Sequence, residues 1–155
     1  MNRIEQVVEG PMLEEVRALF LEYQRSLDVD LCFQGFEKEL ADLPGGYAPP
    51  SGGLFLALLG NEVAGCVGVR GLEEGACEMK RLFVRDAFQG QGVGRTLAEH
   101  AIAWARRAGY ERMLLDTLPS MAAAQRLYET LGFRDVESYR FNPVGGTRYM
   151  ELQLT

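Results

Sequence analysis

Histidine and cysteine are scarce in this chain. Its 155 residues include one histidine, His100, and three cysteines, Cys32, Cys66 and Cys77. A single histidine excludes a histidine-rich metal site and argues against a Ser–His or Cys–His nucleophile, so we expect no bound metal. The cysteines form no C-x-x-C pair, which is typical of packed thiols in a reducing compartment and predicts a cytoplasmic protein.

Long apolar runs and an excess of positive charge are also missing. No apolar segment approaches membrane length, and Arg3 and Glu5 interrupt the start of the chain, so we expect neither a membrane partner nor a secretory signal. The formal net charge is −6 without a basic stripe, which argues against nucleic acid and is compatible with a cationic acceptor such as an amine. With 47% hydrophobic residues, positions 1–155 are expected to form one domain.

Glycine, in contrast, is abundant, and three glycines mark the stretch around which the chain is organised. Gly90, Gly92 and Gly94 follow the apolar residues 82–84 and precede a segment whose apolar residues recur at helical spacing. A glycine-rich loop that runs into a helix presents unpaired backbone N–H groups and the positive end of the helix dipole. Such a loop predicts an anion site, usually for phosphate.

The spacing of these glycines disfavours two common phosphate loops. A P-loop has four residues between its glycines and then Lys and Ser/Thr, whereas three residues separate Gly90 from Gly94 and Arg95 follows. A dinucleotide fingerprint, G-x-G-x-x-G, opens a βαβ unit early in a chain, whereas here G-x-G-x-G comes late. A nucleotide hydrolase is therefore disfavoured.

The segment Gln89-x-x-Gly92-x-Gly94 fits the signature [Arg/Gln]-x-x-Gly-x-[Gly/Ala]. Two flanking segments, Glu78-Met-Lys-Arg-Leu-Phe-Val84 and Ala124-x-x-Leu127-Tyr128-x-x-x-Gly132-Phe133, resemble the fourth strand and the second motif of the GCN5-related N-acetyltransferase (GNAT) family. The chain is thus similar to that family from about residue 78 to 133. The resemblance implies acetyl-CoA as cofactor, with its pyrophosphate on the glycine loop.

The order of elements gives the fold class. Hydrophobic periodicity and turn residues place strands at about 4–8, 54–59, 63–69, 76–84, 113–117, 133–136 and 148–154. Helices are expected at about 12–27, 33–43 and 92–108, with a short one after Pro119. This order predicts an α+β fold: a mixed, mostly antiparallel central sheet of about seven strands, flanked by about four helices. The resemblance further implies that the fourth and fifth strands splay apart to admit the pantetheine arm.

The resemblance also assigns site residues. Tyr128 would donate a proton to the departing CoA thiolate, and Glu78 would take the proton of the attacking amine, directly or through water. Asp116, at the end of the next strand, competes with Glu78 for this role. The residues implied to contact the cofactor are Leu82, Phe83, Val84, Gln89, Gly90, Gln91, Gly92, Val93, Gly94, Arg95, Thr96, Met121 and Ala124. Many relatives carry asparagine where this chain has Met121, so backbone groups or water must replace that contact with pantetheine.

Aromatic residues near the expected acceptor side complete the predicted site. The candidates for the acceptor pocket are Tyr23, Phe33, Tyr47 and Tyr139. Together these features imply an acetyl-CoA-dependent N-acetyltransferase that acetylates a primary amine of a small molecule or protein by direct attack in a ternary complex. The alternative is a non-catalytic acyl-CoA-binding sensor. The resemblance also implies a possible homodimer formed through the last strands.

Overall fold

A computed structural model describes residues 2–27, 35–73, 75–139 and 144–155. The described residues form a seven-stranded sheet in the order β1-β2-β3-β4-β5-β7-β6. The strands are β1 (Asn2–Val7), β2 (Gly53–Leu59), β3 (Glu62–Gly71), β4 (Ala76–Val84), β5 (Arg112–Thr117), β6 (Arg134–Val136) and β7 (Arg148–Gln153). The helices are α1 (Pro11–Ser26), α2 (Phe36–Asp42), α3 (Val93–Arg107) and α4 (Ala122–Thr130), with 3₁₀ turns at Gly45–Tyr47 and Asp86–Phe88.

The sheet is mixed, and all but one of its strand pairs are antiparallel. Strands β1 to β4 pair antiparallel with their neighbours, as do β5 with β7 and β6 with β7. Strands β4 and β5 run parallel because α3 carries the chain across the sheet between them. The predicted α+β class, the mixed sheet and the four flanking helices are confirmed.

Helices cover both faces of the sheet because strand residues alternate between them. In β2, Leu54 and Leu56 join the core formed with α1 and α2, whereas Phe55 and Ala57 join the core formed with α3. Helix α1 begins at a proline, which suits the first helical position, and buries Val16, Leu19 and Phe20 at three- and four-residue spacing. The sheet thereby holds α1 and α3 on opposite sides of β4.

The parallel ladder between β4 and β5 is short. Its residue pairs run from Ala76–Arg112 to Glu78–Leu114, and from Met79 onward the two strands no longer pair. Strand β4 continues to Val84, so its second half faces a gap rather than a neighbouring strand. The splayed fourth and fifth strands implied by the resemblance are therefore confirmed.

Candidate active site

The glycine loop leads directly into the N-terminus of α3. Gly90 and Gly92 both have φ of 80°, a left-handed conformation that glycine adopts without the penalty a side chain brings. Gly92 is the N-cap residue, and its carbonyl accepts hydrogen bonds from the backbone N–H and the Oγ1 of Thr96. The first N–H groups of α3 have no partner inside the helix, so they can receive an anion.

A groove of about 540 Å³ runs along this loop. The end of α1, the second half of β4, the glycine loop and the start of α4 form its walls. The predicted cofactor residues that line it are Leu82, Phe83, Val84, Gln89, Gly90, Gly92, Val93, Gly94, Met121 and Ala124. Gln91, Arg95 and Thr96 do not line it; Arg95 instead pairs with Glu99 and donates to the Oγ1 of Thr130.

A second cavity, of about 40 Å³, lies in the gap between β4 and β5. It shares Tyr23, Leu82, Met121 and Ala124 with the groove, so the two cavities adjoin. The residues that line the gap cavity are Tyr23, Met79, Lys80, Arg81, Leu82, Asp116, Leu118, Met121, Ala124 and Tyr128. Five of these ten residues are polar, and the space they enclose with the apolar five holds only a small group.

Tyr128 reaches the gap from α4 and is 7% exposed. Its ring packs edge-on against Phe133, with 5.7 Å between ring centroids. Burial, with smaller effects of Tyr23 and Asp116, raises the pKa of the Tyr128 phenol above its ordinary value. The hydroxyl therefore keeps its proton near pH 7 and can donate a hydrogen bond.

The two candidate carboxylates occupy different positions. Glu78 is fully buried, accepts a hydrogen bond of 3.0 Å from Arg70 Nε and one of 2.6 Å from Tyr139 Oη, and lines neither cavity. Asp116, two residues beyond the last β5 residue that pairs with β4, lines the gap together with Tyr128. Asp116 and Tyr128 thus line the same cavity, whereas Glu78 lies outside it.

The predicted acceptor-pocket residues are spread over three places. Tyr23 lies at the junction of the two cavities, and burial raises its pKa to about 12. Tyr47 is 2% exposed, packs edge-on against Phe20 and lines neither cavity. Tyr139 contacts Glu78 and packs against the ring of Tyr149. Phe33 lies outside the described residues.

The sequence reasoning missed two basic residues that line the gap. Lys80 and Arg81 are 5% and 4% exposed and both line the gap, and Arg81 contacts Phe36 and Glu39 of α2. Consecutive residues of a regular strand face opposite sides of the sheet, so strand periodicity does not predict that both are buried. A burial this deep could be inferred only from the contacts with α2.

The described residues meet the requirements of neither a metal site nor a membrane-spanning helix. In the ranges that the structure describes, no three His, Cys, Asp or Glu side chains cluster so as to hold a metal ion. His100 packs edge-on against Phe55 at 4.9 Å, and burial lowers its pKa. Across the same ranges, no helix has the length and apolar character to span a membrane.

Comparison with known proteins identifies the family to which this fold and site belong. The sequence model described as Acetyltransferase (GNAT) family matches residues 13–133. A solved structure of a GNAT family acetyltransferase from Elizabethkingia anophelis, with acetyl-CoA bound, has a TM-score of 0.70 at 21% identity and covers 98% of this chain and 97% of that one. The chain therefore belongs to the GNAT acetyltransferase family.

Two relatives define its activity further. An uncharacterized N-acetyltransferase of Schizosaccharomyces pombe is 37% identical over 145 residues, which are 92% of this chain and 89% of that protein. The N-acetylaspartate synthetase of Danio rerio is 31% identical over 129 residues, which cover 81% of this chain and 46% of the synthetase. The protein is an N-acetyltransferase, an enzyme that transfers an acetyl group to an amine.

Proposed function

We propose that the acetyl donor is acetyl-CoA, bound with its diphosphate at the N-terminus of α3 and its thioester in the gap between β4 and β5. The observation that carries this proposal is that the groove and the gap cavity share four lining residues, which supports one path from the glycine loop to Tyr128. The N-terminal N–H groups of α3 supply the donors that a diphosphate needs. The family of the chain uses acetyl-CoA, and this supports the same choice here.

The chemistry proposed is direct attack of the amine on the thioester in a ternary complex. The amine nitrogen forms a bond to the carbonyl carbon, the carbon–sulfur bond breaks, and the thiolate takes a proton from Tyr128. The proton that the nitrogen loses as the amide forms returns through solvent to the Tyr128 phenolate, so the enzyme regains its starting state. Backbone N–H groups of β4 at the gap, at Leu82 to Val84, would stabilise the oxyanion, an effect that reaches a few kcal/mol. Both thiols among the described residues, Cys66 and Cys77, are buried with raised pKa values, which argues against an acyl-cysteine intermediate.

An alkylamine must lose a proton before it attacks. With a pKa of about 10.4 it is neutral in about one molecule in 2,500 at pH 7, a cost of roughly 4–5 kcal/mol. Glu78 is the predicted base, and its hydrogen bond with Tyr139 offers a path for the proton of an amine bound near that tyrosine. Asp116, which lines the gap, is the competing base. Loss of the acidic limb of the pH–rate profile in Glu78→Gln and a lower kcat in Tyr139→Phe would support Glu78. Loss of that limb in Asp116→Asn alone would assign the role to Asp116.

For the acceptor we propose a primary amine on a small molecule that also bears a carboxylate. Lys80 lines the gap and brings a positive charge there, which supports recognition of a carboxylate on the acceptor. Arg70 does not add to this charge, because it is paired with Glu78. Relatives named N-acetylaspartate synthetase are named for a product of this class, which supports the choice. A protein amino group is the competing acceptor, and an amine panel that contains amino acids, polyamines and peptides distinguishes the two.

Release of coenzyme A thiol from acetyl-CoA tests the proposed activity. We expect amine-dependent thiol release, a lower kcat in Tyr128→Phe and an unchanged affinity for coenzyme A. Tyr110→Phe is the matched control, because Tyr110 donates to the Ser51 carbonyl and lines neither cavity. Coenzyme A binding without thiol release for any amine would favour the acyl-CoA sensor instead. Equal turnover of Tyr128→Phe and wild type would remove Tyr128 from the mechanism.

A further inference from the structure

A β-bulge interrupts β4 beside the gap. Cys66 of β3 pairs with Phe83 and Gly68 pairs with Lys80, so one β3 residue stands opposite two β4 residues, Arg81 and Leu82. Arg81 has φ of 60°, in the left-handed region that side chains disfavour. Arg81 and Leu82 both line the gap cavity, so the bulge shapes the backbone at the proposed point of acetyl transfer.

A buried ion pair fixes the first residue of this bulge. The Arg81 guanidinium donates from Nε to Glu39 Oε2 and from Nη2 to Glu39 Oε1, both at 2.9 Å. The two side chains are 2% and 10% exposed, and Tyr47 Oη donates to Glu39 Oε2 at 3.1 Å. The guanidinium carbon lies 5.2 Å from the centre of the Phe36 ring. Phe36 and Glu39 both belong to α2, so this helix contacts the bulge through the Arg81 side chain.

The arrangement is more specific than the neutralisation of a buried charge requires. Buried ion pairs are often no more stabilising than apolar residues of the same volume, so overall stability alone does not explain the pair. A bidentate guanidinium–carboxylate contact fixes direction as well as distance. The Cys66 thiol also donates to the Arg81 carbonyl at 3.4 Å, so both the side chain and the backbone of Arg81 are held. Strained backbone of this kind persists where its surroundings over-determine it, and it clusters at functional sites.

We propose that Glu39 and Arg81 are positioning residues, which hold the β4 bulge so that its backbone N–H groups face the thioester carbonyl. The proposal rests on the proposed function, since it assumes that the thioester occupies the gap. The two residues act through the backbone of Leu82 and need not touch the substrate. Helix α2 thereby acts on the backbone beside the proposed position of the acetyl group.

Two double variants separate the conformation of the bulge from the ion pair itself. Glu39→Gln/Arg81→Gly and Glu39→Gln/Arg81→Ala both remove the guanidinium and the carboxylate, but only glycine adopts φ of 60° readily. We expect kcat of the alanine variant to be at least about fivefold below that of the glycine variant, with equal KM for acetyl-CoA. Equal kcat values for the two double variants would overturn the proposal.

A matched ion pair provides the control. Arg85, directly after β4, donates to both carboxylate oxygens of Glu22 in α1 at 2.9 and 2.7 Å, without a bulge and without lining either cavity. We expect Glu22→Gln to keep kcat within about twofold of wild type; a loss as large as that of the alanine double variant would contradict the proposal.

If the double variants do not fold, the single variant Glu39→Gln tests the proposal. An unchanged kcat overturns it, and a tenfold lower kcat with normal coenzyme A affinity supports it. Failure of the wild type to bind coenzyme A would instead refute the proposed function.

Discussion

The glycine at the start of α3 offers the sharpest test of the cofactor site. Gly92 is the N-cap of the helix with φ of 80°, and a Cβ built on it would meet no atom within 4 Å. Gly92→Ala therefore introduces backbone strain without a steric clash. Gly109, just beyond the C-terminus of the same helix, has φ of 93° and equally open surroundings, and it lines neither cavity. Gly109→Ala is thus a control matched in strain but not in position.

The two alanine variants should lose similar stability. A left-handed conformation costs an alanine about 1–2 kcal/mol, part of which is offset because alanine restricts the unfolded chain. A net loss of about 1 kcal/mol lowers Tm by about 2–4 °C for a chain of this size. Differential scanning calorimetry without ligand should give shifts in this range for both variants.

Only Gly92→Ala should weaken cofactor binding. A relaxed φ at the N-cap turns the first N–H groups of α3, and the loss of one hydrogen bond to a charged group costs about 1.5–3 kcal/mol. Titration calorimetry with coenzyme A should therefore show Kd raised roughly tenfold to a hundredfold in Gly92→Ala and unchanged in Gly109→Ala. Equal Kd values in the two variants would refute the placement of the diphosphate at α3.

Three further predictions concern stability and thiol chemistry. Burial raises the pKa of the Glu39 carboxyl, but its arginine partner and neighbouring donors outweigh this effect and hold the pKa below its usual value. The resulting stability is present above about pH 4.5 and is lost as pH falls through the lowered pKa. The free energy of unfolding in urea should therefore fall less steeply with decreasing pH in Glu39→Gln than in wild type. In a Cys32→Ser background, Cys66 and Cys77 should react with an aromatic disulfide reagent only on unfolding, because burial raises both pKa values, that of Cys77 to about 12; rapid reaction of the native protein would contradict this. Phe20→Ala should cost about 3–5 kcal/mol in chemical denaturation, since the ring is fully buried; a loss under 1 kcal/mol would show that the core rearranges.

Local patterns were sufficient to predict the elements that form the cofactor groove. Helix α3 was expected at about 92–108 and spans Val93–Arg107, because its apolar spacing and the flanking glycines are short-range signals. The same signals indicate Gly90 and Gly92 as part of the loop, and both line the groove. The splay of β4 and β5 came from the family resemblance, since hydrophobic periodicity does not indicate where a ladder ends.

Long-range packing explains what the sequence did not reveal. Tyr47, in a loop rich in glycine and proline, was expected near the acceptor, yet its ring lies against β3 in the core. A Cβ on Gly68 would lie 2.7 Å from that ring, so the glycine makes room for a residue 21 positions earlier. The partnership of Arg81 with Glu39 likewise joins residues 42 positions apart. No local pattern predicts such pairs, because they depend on how α2 and the 3₁₀ turn that follows it pack on the sheet.

The end of the β4–β5 ladder also explains why the two carboxylates differ. Paired strands lie about 4.8 Å apart, so Glu78, at the last paired position, is enclosed by its neighbours and lines neither cavity, and it accepts a hydrogen bond from Tyr139, a predicted acceptor residue. Asp116 follows its ladder residue Leu114 by two positions, on the same face of β5 but where the strands have separated, and it therefore borders the open space. A base at Glu78 must consequently act through a relay, whereas a base at Asp116 can contact the amine directly. The response of kcat to Tyr139→Phe is therefore the measurement that separates the two mechanisms.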